Sequence, residues 1–386
     1  MKIRSIKQVK NLAGKTVLLR VDWNVAIEKG KVVDDFRMRR SLPTIQYLLK
    51  KKAGVILVSH LGRPHGQDKK YSLRPVQKHF ETLLGATVAL VPFSKIKSVA
   101  VGKGEVVVLE NIRFSADEEK NSGTLAKDLA KLADLFVLDG FAVAHRQAAS
   151  VSGVAKYLPS YAGLLLDEEI TVLSNVMTKP KKPLVVILGG AKAETKIPML
   201  KTLLPKADYV LVSGGIANTY WWAKGNKLSD SLVDKNFKSE VLKYCSSKKV
   251  ILPVDAVVGT KDGKKVQVIS TKQKVAVPAG TGIRDIGPDT IRLFASYMKK
   301  AKTLIWNGAM GVFEQHPYEY GTYAITLLFA ARSKGQAFGV CGGGETVQVF
   351  QKMKVLHDVD LVSTGGGAML EFLGGERLAG IEALKK

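Results

Sequence analysis

The chain is poor in the features that mark several large classes of protein. Its 386 residues hold two cysteines, Cys245 and Cys341, with no Cys-x-x-Cys spacing. That leaves no material for a disulfide framework or a thiolate zinc site. No apolar run approaches the roughly 18 residues that a membrane span requires, so no membrane partner is expected. The opening MKIRSIKQVKNLAGK lacks the apolar core and cleavage pattern of a secretory signal. A reducing, cytoplasmic setting is expected. Acidic residues are also scarce: 34 Asp and Glu against 59 Lys and Arg give a formal charge of +25. Aromatic residues amount to 7%, and the lysines fall in short scattered runs rather than in a stripe interleaved with stacking rings. That distribution argues for solvated surface over a nucleic-acid interface. There is no GxxxxGK[ST] loop, no GxGxxG after a strand, no HExxH and no GxSxG. The familiar nucleotide, metalloprotease and hydrolase signatures are therefore absent.

What is present is a repeating scheme. With 46% hydrophobic and 24% charged residues a packed core is expected, and the length suits two domains. Short β-branched apolar runs recur: TVLLRV (16–21), GVILVS (54–59), EVVVLE (105–110) and LFVLD (135–139) in the first half. PLVVIL (183–188), YVLVS (209–213), KVILPVD (249–255), KTLIWN (302–307), AFGVC (337–341) and DLVST (360–364) follow in the second. Continuous rather than alternating runs suit parallel strands buried on both faces. Helical spacing between them, as at Met38, Leu42, Ile45 and Leu49, implies an α/β fold with doubly wound parallel sheets. So many strands divide more economically into two sheets, and the stretch from Gly163 to Met177 reads as a helix joining two lobes.

Ligands of open parallel sheets bind beyond the carboxyl ends of the strands. In the first half those ends carry charge: Asp22 and Asn24, Arg37 close by, His60 and Arg63, Arg113, then His145 and Arg146. Arginine binds carboxylate and phosphate through paired, charge-assisted hydrogen bonds, so this rim suits a small ligand with several negative charges. In the second half the ends are bare glycine turns at 189–192, 214–219, 307–311, 342–346 and 365–369. Glycine lets phosphate approach backbone N–H groups at a helix start. Lys192 and Lys196, placed four apart on a helix, would face such a ligand together. A polyanion lobe paired with a nucleotide lobe points to phosphoryl transfer.

These motifs give the chain a resemblance to phosphoglycerate kinases over essentially its whole length. LLRVDWNV, DDFRMRRSLPTI, VSHLGRP, LENIRF, AHRQAAS, LGGAKAETKI, DIGPDTI, WNGAMGVFE, GGGET and STGGGA stand in the family's order. The resemblance implies two Rossmann-like lobes separated by a cleft, with residues 1–162 binding phosphoglycerate and 179–371 binding nucleotide. An interdomain helix spans 163–178, and a tail of residues 372–386 packs back on the first lobe. It implies a monomeric ATP:3-phosphoglycerate 1-phosphotransferase that forms 1,3-bisphosphoglycerate and ADP by direct in-line transfer after hinge closure, with Mg2+ bound to the nucleotide. Asp22, Trp23, Asn24, Arg37, His60, Leu61, Gly62, Arg63, Arg113 and Arg146 would hold the acid. Gly190, Lys192, Lys196, Gly214, Gly215, Asn307, Glu314, Gly343, Gly344, Glu345 and Thr346 would hold the nucleotide, with Glu314 on the ribose and Glu345 meeting the metal. Arg37, Lys192, Gly343 and Gly366 would act in catalysis, Gly366 and Gly367 opening a helix toward the transferring group. Two departures from the family pattern stand out: Glu345 replaces an aspartate, and Ala309 replaces a proline. The alternative expectation is a catalytically weak relative retained as a basic binding protein.

Overall fold

A computed structural model describes residues 3–385 and shows two compact units. One takes the chain up to Thr171 together with the stretch from Arg377 onward; the other runs from Val172 to Glu376. Each is built on a six-stranded parallel sheet.

In the first unit the strands are β1 (Thr16–Arg20), β2 (Gly54–Val58), β3 (Ala89–Val91), β4 (Val106–Leu109), β5 (Leu135–Leu138) and β6 (Ser160–Ala162). They lie in the order β3-β4-β2-β1-β5-β6. The apolar runs form the central strands because both faces are covered: every residue of β2 and β5 is buried. Register places Leu18 beside Ile56 on one side and Phe136 on the other. Helix α1 (Phe36–Lys50) turns Met38, Ile45 and Leu48 into this core. The last residues return to the same unit, where Gly380 donates its N–H to the Ala144 carbonyl at 2.7 Å and Ile381 and Leu384 are fully buried.

Helix α2 (Leu164–Thr178) contains the division between the units. The second large sheet uses β7 (Leu184–Leu188), β8 (Tyr209–Val212), β9 (Val250–Ile251), β13 (Thr303–Asn307), β14 (Phe338–Gly342) and β15 (Leu361–Ser363), in the order β9-β8-β7-β13-β14-β15. Trp306 on β13 is fully buried against Phe329 and Phe350, with ring centroids 5.6 and 5.4 Å away. Its indole N–H holds the Gly308 carbonyl at 2.7 Å, so core packing also fixes the turn that follows the strand.

One strand expectation is corrected. The run at 249–255 is not one strand: β9 stops at Ile251, and beyond Pro253 the chain enters a separate antiparallel sheet. That sheet joins β10 (Asp255–Gly259), β11 (Gln267–Ser270) and β12 (Gly282–Ile286) in the order β11-β10-β12. A proline has no N–H for a ladder and marks the break. Among the described residues no helix is long and apolar enough to cross a membrane.

Candidate active site

At the strand ends of the first unit Asp22, Asn24, Arg37 and Arg113 join in one hydrogen-bonded system through Gly62. Asp22 is buried and accepts from Arg37 Nη1 at 2.6 Å. Asn24 Oδ1 accepts the Gly62 N–H at 2.9 Å, and Arg113 Nη1 donates to the Gly62 carbonyl at 2.6 Å. Gly62 has φ +59°, and a Cβ there would lie 2.3 Å from the Tyr71 ring, so no other residue fits this turn without strain. Arg63, Arg113 and Arg146 then line a cavity of about 380 Å³ together with Arg20, Glu118, Glu119 and Gln147.

Four residues around this system, Arg20, Ser150, Glu118 and Asn111, were not expected from the sequence. Arg20 sits inside a strand and is buried; its Nε donates to Ser150 Oγ at 2.8 Å. Ser150 in turn donates to the buried Glu118 through its hydroxyl at 2.6 Å and its N–H at 2.9 Å. Asn111, fully buried, accepts the Leu61 and Arg113 N–H groups at 3.2 and 3.1 Å and donates to the Leu61 and Tyr71 carbonyls at 2.8 and 2.9 Å. One carboxamide therefore fixes both the 60–62 turn and the start of Arg113. Asn111 stands two residues past the end of an apolar strand, but its role depends on partners distant in sequence. Arg20 reads as the last residue of a strand and gives no signal of its role.

His60 is buried, with Nδ1 3.2 Å from Arg20 Nη2. A guanidinium cannot accept, so Nδ1 is the acceptor and the proton lies on Nε2. Burial, reinforced by Arg20, Arg113, Arg146 and Arg37, holds its pKa well below 6.5, and the ring is neutral at physiological pH. Burial likewise lowers the Arg20 and Arg113 pKa values, Glu118 opposing it at the first and Arg146 adding to it at the second. Trp23 and Leu61 belong to the core instead of the cavity wall. The Trp23 ring packs 4.7 Å from Phe80 and donates to Ser41 Oγ at 2.9 Å, while Leu61 is 5% exposed.

In the second unit the glycine turns follow β7, β8, β13, β14 and β15, all at the carboxyl ends of parallel strands in the same sheet. A cavity of about 320 Å³ is lined by Lys192, Lys196, Asn307, Gly343, Gly344, Glu345, Thr346, Gly366 and Gly367. Lys192 is not on the helix: it caps α3 (Ala193–Leu203) in an extended conformation, and only Lys196 lies within the helix. Lys196 is buried and donates to Asn307 Oδ1, while Asn307 Nδ2 donates to the Gly342 carbonyl at 2.8 Å. Burial pulls the Lys196 pKa down to about 8, against the neighbouring Glu345, which raises it. Thr346 Oγ1 accepts the Gly308 N–H at 2.8 Å and ties two turns together.

An apolar cavity of about 240 Å³ adjoins this one, sharing Ala191 and Glu345. Gly190, Gly214, Gly215 and Glu314 line it. A Cβ on Gly215 would lie 2.0 Å from the Ala191 carbonyl, so glycine here permits the close approach of two turns.

The family model described as phosphoglycerate kinase matches residues 6–376. The chain belongs to the phosphoglycerate kinase family. The phosphoglycerate kinase of Moorella thermoacetica is 43% identical over 386 residues, 97% of each chain. That of Pelotomaculum thermopropionicum is 42% identical over 387 residues, with the same shares. The solved phosphoglycerate kinase of Coxiella burnetii superposes with a TM-score of 0.88 at 38% identity over 99% of both chains. That of Pyrococcus horikoshii gives 0.86 at 31% over 99% of this chain and 98% of the other. Membership of the phosphoglycerate kinase family makes the chain a transferase of the kinase class with two Rossmann-like lobes, as the motifs implied. A role in binding alone is not favoured.

Proposed function

We propose that this chain reversibly transfers a phosphoryl group between ATP and the carboxylate of 3-phosphoglycerate, acting as a cytoplasmic monomer. The observation that carries the reading is the division of ligand chemistry. One unit presents an arginine-lined cavity, and the other presents a lysine- and glycine-lined cavity adjoining an apolar one. The first suits an acid carrying both carboxylate and phosphate; the second suits a triphosphate beside its base.

Phosphoryl transfer asks mainly for positioning and charge neutralisation. Arg37, oriented by Asp22 at 2.6 Å, would hold the carboxylate and steady the group in flight, and Arg63, Arg113 and Arg146 would fix the acid's phosphate end. Lys192, Lys196 and the backbone of Gly343, Gly344 and Gly366 would balance charge on the nucleotide phosphates. Direct in-line transfer brings carboxylate and phosphoryl together with water excluded, which a hinge movement would supply. The nucleophile is a carboxylate, ionised at neutral pH, so no general base is required. A buried neutral His60, with Nδ1 accepting from Arg20 and its proton on Nε2, suits that chemistry as a hydrogen-bonding group and not as a base.

Magnesium fits the residues present. Glu345 is the one carboxylate lining the phosphate cavity, and among the described residues no three or more His, Cys, Asp or Glu are grouped so as to hold a metal ion. One carboxylate suits an ion that keeps several waters and takes substrate phosphates. Bound there, Mg2+ would neutralise phosphate charge.

Coupled turnover tests the reading. ADP formation that requires both ATP and 3-phosphoglycerate is expected. ADP formation indifferent to the acid, or none at all, would contradict it.

A further inference from the structure

The arginine-lined cavity of the first unit also holds carboxylates. Arg20, Arg63, Arg113 and Arg146 line it together with Glu118 and Glu119. Glu118 is committed to the fold: it is buried and accepts both the N–H and the hydroxyl of Ser150. Glu119 differs. It lies in the turn at 116–121, its side chain is 61% exposed, and its Oε1 stands 3.0 Å from Arg113 Nη2. The Arg113 side chain is only 6% exposed, and its Nη1 donates to the Gly62 carbonyl at 2.6 Å. Both terminal nitrogens of this guanidinium therefore already face acceptors.

Arg113 does not need Glu119 to hold its position. The Gly62 carbonyl fixes Nη1, and the Asn111 carboxamide accepts the Arg113 N–H at 3.1 Å. What Glu119 supplies is charge. Burial and Arg146 lower the Arg113 pKa, and Glu119 opposes them. A phosphate bound by Arg113 through paired, charge-assisted hydrogen bonds would compete for Nη2 and would meet a like charge beside it. An ion pair with one partner this exposed is weak enough to break at little cost.

Taking this cavity as the acid site of the kinase proposed above, we propose that Glu119 is a resident counter-ion that the phosphate group of the acid displaces from Arg113. In the empty site the carboxylate offsets part of the arginine charge. On binding it turns into solvent, and the contact it gives up is subtracted from the affinity of the acid. Glu119 thus sets how tightly a phosphomonoester is held without setting where the arginines stand.

The test measures 3-phosphoglycerate binding by calorimetry, and KM for the acid and for ATP, in the parent and in Glu119→Gln. Glutamine keeps the size and the acceptor and removes the charge. Inorganic sulfate is the second probe, its binding assigned to this unit by protection of residues 60–63 and 111–114 from amide exchange. Both anions should bind Glu119→Gln about two- to fivefold more tightly at low salt, with KM for ATP within about twofold. The tightening should shrink as potassium chloride rises from about 20 to 300 mM, as screening requires of a charge effect. Weaker binding in the variant, or a change under about twofold at low salt, overturns the proposal. A tightening that salt leaves unaltered overturns it as well. Sulfate held more tightly by Glu119→Gln, with no 3-phosphoglycerate binding in either protein, would overturn the acid reading while supporting the displaced counter-ion.

Discussion

Replacing Asp139 by asparagine should relieve a pH-dependent burden on the first unit. Asp139 follows β5 and is fully buried, with Oδ1 accepting the Leu165 and Leu166 N–H groups at 3.0 and 3.3 Å in the first turn of α2. Those bonds and Thr44 favour the carboxylate, but burial outweighs them and the buried Glu169 adds to it. The pKa is pushed up from 3.8 to about 7. In the unfolded chain the same group ionises near pH 4. Stability associated with the neutral acid is therefore complete below pH 4. It declines as pH rises toward 7, because only the unfolded chain then releases the proton. Each pH unit costs about 1.4 kcal/mol, so the loss across three units is about 4 kcal/mol. Asparagine keeps the Oδ1 acceptor and never ionises. The stability difference between Asp139→Asn and the parent should thus grow in the variant's favour by about 1.4 kcal/mol per pH unit between pH 4 and 7, then level off. Amide exchange of β1 and β2, corrected for the pH dependence of intrinsic exchange, reads the opening of this unit. A difference that stays flat over that range would show that the carboxyl is already ionised in the fold.

Further expectations follow from the two sites. Arg113→Ala should raise KM for 3-phosphoglycerate by about tenfold or more, with KM for ATP within about twofold; equal effects on both would contradict the division of ligands. Arg20→Met removes one charge from a buried set that includes Glu118 and should destabilise the first unit by about 3–5 kcal/mol in urea unfolding, an unchanged midpoint being the contrary result. Glu345→Ala should raise the half-saturating magnesium concentration severalfold, whereas Glu345→Asp should hold activity within about tenfold, or ~1.4 kcal/mol. An unaltered magnesium requirement in the alanine variant would remove Glu345 from the metal.

The sheets were legible because buried parallel strands are written as unbroken apolar runs, and the turns after them as charge in one unit and glycine in the other. Short or half-exposed strands left weaker traces. β3 and β6 span three residues each, and β11 is mostly exposed, so neither length nor hydrophobicity set them apart. The break at Pro253 was available in the sequence but was masked by the apolar residues around it. At the site, side chains projecting from turns could be read directly, whereas Arg20, Glu118 and Asn111 could not. Their roles depend on long-range partners: Arg20 reaches Ser150 across 130 positions, and Asn111 reaches Leu61 across 50. Trp23 and Leu61 show the converse. Both lie between site residues in sequence, yet the local backbone turns their side chains into the core.

The central claim is that the two ligands bind to different units. Amide hydrogen exchange with each substrate alone tests it most directly. With 3-phosphoglycerate, protection is expected at residues 22–24, 60–63 and 111–114 and not at the glycine turns of the second unit. With the magnesium nucleotide it is expected at 189–196, 307–314 and 342–346 and not in the first unit. Protection of the second unit's turns by 3-phosphoglycerate alone, or of the arginine-lined cavity by nucleotide alone, would contradict the account.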